Sequence, residues 1–107
     1  MLRGNLRRGL ALVRRRTLRG SPLPVRLYER AGCHLCDESH RALRRIGLDL
    51  PLEIQRIDVD ADDALVRRYT LRVPVIAVGP DELDAAGLDD AALGHWLRAR
   101  PRAGERP

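Results

Sequence analysis

The stretch that decides the fold is Gly32-Cys33-His34-Leu35-Cys36-Asp37, which holds the only two cysteines of the 107-residue chain. A strand-like run, residues 25–29, precedes it, and an apolar pattern with helical spacing follows it as far as Ile46. Cys33 is predicted to lie where the helix begins, and the free backbone N–H groups there favour a thiolate over a thiol. Cys36 comes one turn later, so its sulfur can close a disulfide with Cys33. A C-x-x-C pair at a strand-to-helix junction predicts thiol–disulfide chemistry.

Charge is distributed unevenly along the chain. Residues 1–20 contain seven arginines and no acid, whereas the remainder contains 13 arginines and 15 acids, so the net charge of +5 comes from the N-terminal segment. No apolar run approaches the roughly 18 residues of a membrane helix, and the longest N-terminal run, residues 10–13, is too short for a signal peptide core. These observations predict a cytoplasmic protein without an integral membrane segment. In that compartment a C-x-x-C pair is more often catalytic or metal-binding than structural.

Three regions are predicted. Residues 1–24 form a basic arm and linker, residues 25–100 form a single domain, and residues 101–107 form a disordered tail. The arm is predicted to be mobile. Leu2, Leu6, Leu10 and Val13 could line one helical face with arginines beside it, and the alternative is that this basic amphipathic pattern makes weak contact with polyanions such as a membrane surface or nucleic acid. The domain is predicted to be a monomer.

The predicted element order is β-α-β-α-β-β-α. The strands are residues 25–29, 52–59, 73–78 and 82–85, and the helices are residues 36–46, 60–69 and 89–98. The first two strands should be parallel because a helix joins them, and the last two antiparallel because a tight turn joins them. The alternation of the second strand slips between Ile54 and Ile57, which predicts a bulge or an early end. Asp60 and Asp89 are the predicted N-caps of the second and third helices.

Residues 27–38, Leu-Tyr-Glu-Arg-Ala-Gly-Cys-His-Leu-Cys-Asp-Glu, resemble the strand, active-site loop and helix start of short bacterial glutaredoxin-like proteins. Val73-Pro74-Val75 is similar to the Val-Pro step of that family, whose proline is cis, and residues 87–90 are similar to the segment that caps its last helix. The resemblance covers residues 25–99. It implies an α/β thioredoxin-like fold of the glutaredoxin type with a four-stranded mixed sheet.

The chain departs from its nearest families around the site. Thioredoxins place Trp and a buried acid where this sequence has Gly32 and Leu27. Glutaredoxins usually have Pro-Tyr where this sequence has His34-Leu35, Thr where it has Arg72, and a Gly pair where it has Ala86-Gly87. The differences from glutaredoxins fall around the groove that binds glutathione in that family.

The resemblance implies roles for individual residues. Cys33 is the predicted nucleophile and Cys36 the resolving thiol. His34 is predicted to modulate the site, because an imidazolium would stabilise a thiolate; the alternative is an exposed loop side chain. If Pro74 is cis, it would face Cys33, and the Val73 peptide would offer its N–H and C=O to an extended substrate. If it is not, Pro74 is a strand-entry proline.

Four charged residues are the candidates for holding glutathione. Arg30 and Arg72 flank the predicted site and Asp89 and Asp90 border it, so together they could bind the carboxylates and the amino group of the tripeptide. The alternative is that they are solvated charges and a helix cap. With His40, the C-x-x-C segment supplies at most three ligands to an ion, whereas a structural zinc site needs four, so no metal site is predicted.

The predicted function is a thiol–disulfide oxidoreductase that reduces disulfides of proteins or small molecules by a dithiol mechanism. Its partners would be disulfide-containing proteins or glutathione. It would require no cofactor, and glutathione is a candidate reductant. Two alternatives remain open: a non-catalytic binding module of the thioredoxin fold, and a glutathione-dependent iron–sulfur cluster binder.

Overall fold

The computed structural model describes residues 21–101, so the predictions for the arm at 1–20 and for the tail from 102 onward lie outside the described residues. In chain order the elements are β1 (Leu23–Glu29), α1 (His34–Ile46), β2 (Leu52–Asp58), a 3-10 turn (Val59–Ala61), α2 (Asp63–Tyr69), β3 (Val75–Val78), β4 (Asp81–Asp84) and α3 (Asp90–Arg98).

The four strands form one mixed sheet in the order β2-β1-β3-β4. β1 is parallel to β2 and antiparallel to β3, and β3 is antiparallel to β4, which confirms both predicted pairings and the thioredoxin-like fold class. Apolar side chains cover the two faces of the sheet. One cluster, which includes Leu27, Leu43 and Leu93, packs the sheet against α1 and α3. A second cluster, which includes Tyr28 and Tyr69, packs the opposite face against α2.

β1 begins two residues earlier than predicted. The backbone N–H of Leu23 donates to the Pro51 carbonyl at 2.9 Å, and the Leu23 side chain is almost fully buried in the first cluster. Pro24 can occupy this strand because β3 pairs only with residues 26–28 of β1. The missing N–H of the proline therefore removes no hydrogen bond between β1 and β3.

β2 contains no bulge. Its register with β1 is continuous from Leu23↔Leu52 to Glu29↔Asp58, and the strand ends at Asp58, one residue before the predicted end. The apparent slip in the sequence arises because the two isoleucines lie on opposite faces of the sheet, and each face has its own apolar cluster. Ile54 packs against the cluster under α1 and α3, whereas Ile57 packs against the cluster under α2.

The predicted N-cap of the second helix is wrong. Asp62, not Asp60, caps α2, because its carboxylate accepts the Ala64 N–H at 2.7 Å. A 3-10 turn intervenes between β2 and α2, and Asp58 caps that turn by accepting the Asp60 N–H at 2.9 Å.

The remaining boundaries differ by one or two residues. α1 begins at His34 rather than Cys36, β3 begins at Val75 rather than Val73, and β4 spans Asp81–Asp84, shifted one residue towards the N-terminus. The predicted cap of the last helix is confirmed, since the Asp89 carboxylate accepts the Ala92 N–H at 2.8 Å.

Candidate redox site

The sheet topology brings four connecting segments to one edge. β1 and β2 both end there, at the paired residues Glu29 and Asp58, while Val75 at the start of β3 lies opposite Asp84 at the end of β4. The segments 30–33, 59–62, 70–74 and 85–89 therefore leave the sheet from the same end, which we call the reactive edge. Hydrogen bonds join the segments to one another, for example from the Ala85 N–H to the Pro74 carbonyl at 2.9 Å.

The cysteine pair lies at the N-terminus of α1. Cys33 is the N-cap residue, and its sulfur accepts the backbone N–H of Cys36 at 3.1 Å. The two sulfurs form a disulfide, with 5.2 Å between the two Cα atoms. Because a helix N-terminus presents unpaired N–H groups and a partial positive charge, it stabilises an anion at this sulfur when the pair is reduced.

The two sulfurs differ in accessibility. Cys36 has no exposed surface, whereas Cys33 is partly exposed. A reagent in solution can therefore reach Cys33 and not Cys36.

Gly32, the residue before Cys33, adopts a φ of +73°. This left-handed backbone conformation favours glycine, since a side chain there would be strained.

His34 is exposed and makes no side-chain hydrogen bond or ion pair within residues 21–101. Its place at the first position of α1 puts it beside both cysteines. The modulating role stays a prediction.

The Val73–Pro74 peptide is cis, as the family resemblance predicted. Pro74 is buried. The Val73 N–H donates to the Tyr69 carbonyl at 3.1 Å. Of the two backbone groups predicted to pair with a substrate, the N–H is therefore already used within the chain, and a substrate would compete with Tyr69 for it.

The two candidate arginines are engaged in ion pairs. Arg30 donates to both carboxylate oxygens of Asp60, at 3.2 and 3.0 Å, and also to the Thr70 hydroxyl. Arg72 donates to Asp84, at 3.2 and 2.9 Å, and to Glu82 at 3.1 Å. The structure thus places both arginines in segments of the reactive edge, but with acidic partners from the same chain.

The two candidate aspartates border a surface groove between α1 and the segment before α3. Asp90 accepts from Arg45 at 2.7 and 3.0 Å, and this hydrogen bonding lowers the pKa of the Asp90 carboxyl. The groove has a volume of about 430 Å³. Its lining residues are Leu35, Glu38, Ser39, Arg41, Ala42, Arg45, Ala85, Gly87, Leu88, Asp89 and Asp90. Neither Arg30 nor Arg72 lines it, so the four candidate residues do not form one site.

Tyr69 is a residue that sequence reasoning missed. Its ring stacks on Tyr28 with 4.1 Å between centroids, and its hydroxyl donates to Glu82 at 2.6 Å. Burial raises the pKa of Tyr69, and the hydrogen bond to Glu82 raises it further. The Tyr69 carbonyl accepts the N–H groups of both Arg72 and Val73, so this residue anchors the segment before the cis peptide. The contact with Tyr28 arises from the packing of α2 on the sheet, so no local signal in the sequence indicated it.

A cluster of charged side chains lies beside α1. Arg56 of β2 donates to both carboxylate oxygens of Glu29, at 2.6 and 2.8 Å, and lies 3.8 Å from Asp37. His40 is close to this cluster. Burial lowers the pKa of His40 below its usual value of 6.5, and the positive charge of Arg56 lowers it further, against the opposing effect of Glu29.

The His40→Gln variant is expected to lose part of the acid sensitivity of the protein. A histidine with a lowered pKa binds its proton less tightly in the folded than in the unfolded state, so stability falls as the pH drops through 6.5. Glutamine does not titrate, so urea midpoints at about pH 7.5 and about pH 5 should differ less than in the wild type. His95→Gln, at an exposed position, is the control. If the urea midpoint changes by the same amount between the two pH values in His40→Gln and in the wild type, the prediction is contradicted.

Within residues 21–101, no three His, Cys, Asp or Glu side chains form a group that could hold a metal ion. None of the helices in that range is both long and apolar enough to cross a bilayer.

The fold and the disulfide at a helix start define a glutaredoxin-like member of the thioredoxin fold, and comparison with known proteins agrees. Residues 24–98 match the family model described as Glutaredoxin-like domain (DUF836). The chain belongs to this family. No curated protein matches it.

Solved structures from two bacteria illustrate what this chain is similar to. The X-ray structure of the structural genomics target XcR50 from X. campestris is 37% identical with a TM-score of 0.64, over 72% of this chain and 99% of that chain. The solution structure of protein Ne2328 from Nitrosomonas europaea is 38% identical with a TM-score of 0.61, over 72% of this chain and 93% of that chain.

Proposed function

We propose that this protein is a thiol–disulfide oxidoreductase that reduces disulfides through Cys33 and Cys36. The observation that carries the proposal is the asymmetry of the pair: a partly exposed sulfur caps the helix and a fully buried sulfur lies one turn behind it. An attacking thiol must be accessible and stabilised as a thiolate, whereas a resolving thiol only has to reach its neighbour.

The reaction proceeds in two exchanges. The Cys33 thiolate attacks one sulfur of the substrate disulfide, a Cys33–substrate bond forms, and the other substrate sulfur leaves as a thiolate that takes up a proton. Cys36 then loses its proton and attacks the Cys33 sulfur, which breaks the mixed disulfide and releases the second substrate thiol. Two electrons and two protons pass to the substrate, and the Cys33–Cys36 disulfide remains. A thiol reductant supplies two electrons and two protons to restore the dithiol.

The backbone around the pair supports this sequence of steps. The Cys36 N–H, which donates to the Cys33 sulfur at 3.1 Å, stabilises negative charge on that sulfur before it attacks the substrate. The reaction requires a compartment in which a thiol reductant recycles the pair. A cytoplasmic location stays a prediction.

The test combines a redox titration with an activity assay. The Cys33–Cys36 pair is titrated with mixtures of reduced and oxidised dithiothreitol, and the protein is assayed for accelerating the reduction of insulin by dithiothreitol. A reversible two-electron transition with accelerated insulin reduction is expected. The Cys33→Ser, Cys36→Ser double variant is the control. A reversible transition without any acceleration would favour a binding module, and iron-dependent visible absorbance of the purified protein would favour a cluster binder.

A further inference from the structure

The charged groups that a glutathione site would require are occupied within the chain. Glutathione carries two carboxylates and one amino group, and each needs a partner of opposite charge to be held in a fixed pose. Arg30 and Arg72 would serve the carboxylates, yet Arg30 is bidentate to Asp60 and Arg72 bridges Asp84 and Glu82. A ligand carboxylate would have to displace these partners. The residues present therefore do not fit glutathione.

The groove beside the disulfide does not favour an anion either. Its charged lining comprises three acids, Glu38, Asp89 and Asp90, against the two arginines Arg41 and Arg45. One of those arginines already holds Asp90 at 2.7 Å. Glutathione has a net charge of −1 near neutral pH, as does the groove lining, so long-range attraction between them is missing.

Exposed apolar side chains are concentrated at the same place. Within residues 21–101, the exposed large apolar residues are Leu35, Leu48, Leu71 and Leu88. Leu35 lies between the two cysteines, and Leu88 lies in the segment before α3; they are 36% and 38% exposed and both line the groove. Leu71, which is 96% exposed, belongs to the 70–74 segment of the reactive edge. Apolar surface of this kind beside a reactive group is typical of a protein-binding face.

We propose that the site acts on protein disulfides in which a large apolar residue, in an uncharged or basic segment, adjoins the reacting cysteine, and that it discriminates against glutathione. The apolar side chain of the substrate would cover Leu35 and Leu88 while its sulfur meets Cys33. The proposal rests on the proposed function and adds no chemical step to it. It concerns only the groups attached to the sulfur that Cys33 attacks.

Four small disulfides provide the test. Three are symmetric disulfides of end-blocked peptides. Leucine flanks the cysteine in the first peptide, serine in the second, and a leucine–aspartate pair in the third. The fourth compound is glutathione disulfide. Each is mixed with the reduced protein, and formation of the Cys33–Cys36 disulfide is followed by acid quench and mass spectrometry. The leucine peptide should react at least about tenfold faster than the serine peptide and glutathione disulfide, the size of preference that one apolar contact gives. The aspartate-containing peptide should be slower than the leucine peptide.

Two matched variants test whether the preference for the leucine peptide arises in the groove. Leu88→Ser should lower the rate ratio of the leucine to the serine peptide to about threefold or less. Leu48→Ser makes the same substitution at a more exposed leucine just beyond the opposite end of α1 and should keep the ratio of the wild type. An unchanged ratio in Leu88→Ser would overturn the assignment of the groove.

A gain of reactivity tests the charge argument. Asp60→Asn removes the anion that holds Arg30, so the variant should react several-fold faster with glutathione disulfide, while its rate with the leucine peptide stays the same. If Asp60→Asn reacts no faster with glutathione disulfide than the wild type does, the view that this ion pair keeps Arg30 from a ligand is overturned. If the wild type reacts as fast with glutathione disulfide as with the leucine peptide, this proposal is overturned and the proposed function is not. If no disulfide oxidised the reduced protein, the proposed function would fail, and this proposal with it.

Discussion

Disulfide reduction is expected to fall to background in Cys33→Ser, whereas Cys36→Ser should stop turnover and still form a covalent complex with its substrate. Only the partly exposed sulfur at the start of α1 can begin the exchange, and a serine hydroxyl does not replace a thiolate as nucleophile. Loss of at least about a thousandfold is expected in insulin reduction for Cys33→Ser, as for other enzymes that lose their nucleophile.

The complex formed by Cys36→Ser provides the more specific measurement. In this variant the first exchange can occur but the second cannot, so a mixed disulfide should accumulate on Cys33 and be visible by non-reducing electrophoresis and mass spectrometry. The double variant, with serine at both positions, should form none. If Cys36→Ser captures no more substrate than the double variant, or if Cys33→Ser keeps its activity, the assignment of the two roles is wrong.

Leu27→Ala is expected to lower the free energy of unfolding by about 2–5 kcal/mol. Leu27 has no exposed surface, and it lies in β1 between Arg56 of β2 and Ile76 of β3. Truncation leaves a cavity in the cluster that α1 and α3 pack against, and the neighbours on both strands limit how far the site can close. Since a domain of this kind is stable by only about 5–15 kcal/mol, the loss should be evident in urea denaturation.

Leu48→Ala is the matched control for this measurement. The side chain is 77% exposed, and substitutions at such positions usually change stability by no more than about 0.5 kcal/mol. A loss below about 1 kcal/mol in Leu27→Ala would show that the surroundings close around the truncated side chain, contrary to the rigid packing inferred for this strand.

The element order and the cysteine pair could be predicted because both depend on local spacing. Cys33 and Cys36 are three residues apart at a helix start, and the apolar periods of the strands and helices can be read directly from the sequence. The N-cap of α2 could not be predicted. Asp58, Asp60 and Asp62 can all cap a helix, and the choice depends on where β2 ends, which its pairing with β1 determines.

The partners of the charged residues could not be predicted either. Arg30 and Asp60 are 30 residues apart, and Arg45 and Asp90 are 45 apart, so only the assembled fold brings the members of each pair together. From the sequence alone Arg30 and Asp90 are candidates for holding a charged ligand, because nothing local reveals that each has a partner within the chain. The same holds for Tyr69, whose contact with Tyr28 arises from the packing of α2 on the sheet.

The direction of β1 determines how the domain can be attached to anything else. The strand enters the sheet at Leu23 and takes seven residues, about 23 Å, to reach the reactive edge. At the other end of the described chain, Arg100 donates to Asp81 at 2.8 Å, beside the turn where β3 passes into β4. The first and last described residues therefore both lie on the side of the sheet remote from Cys33. A domain held at either of these points, whether to a surface or to another protein, would present its reactive sulfur away from the attachment.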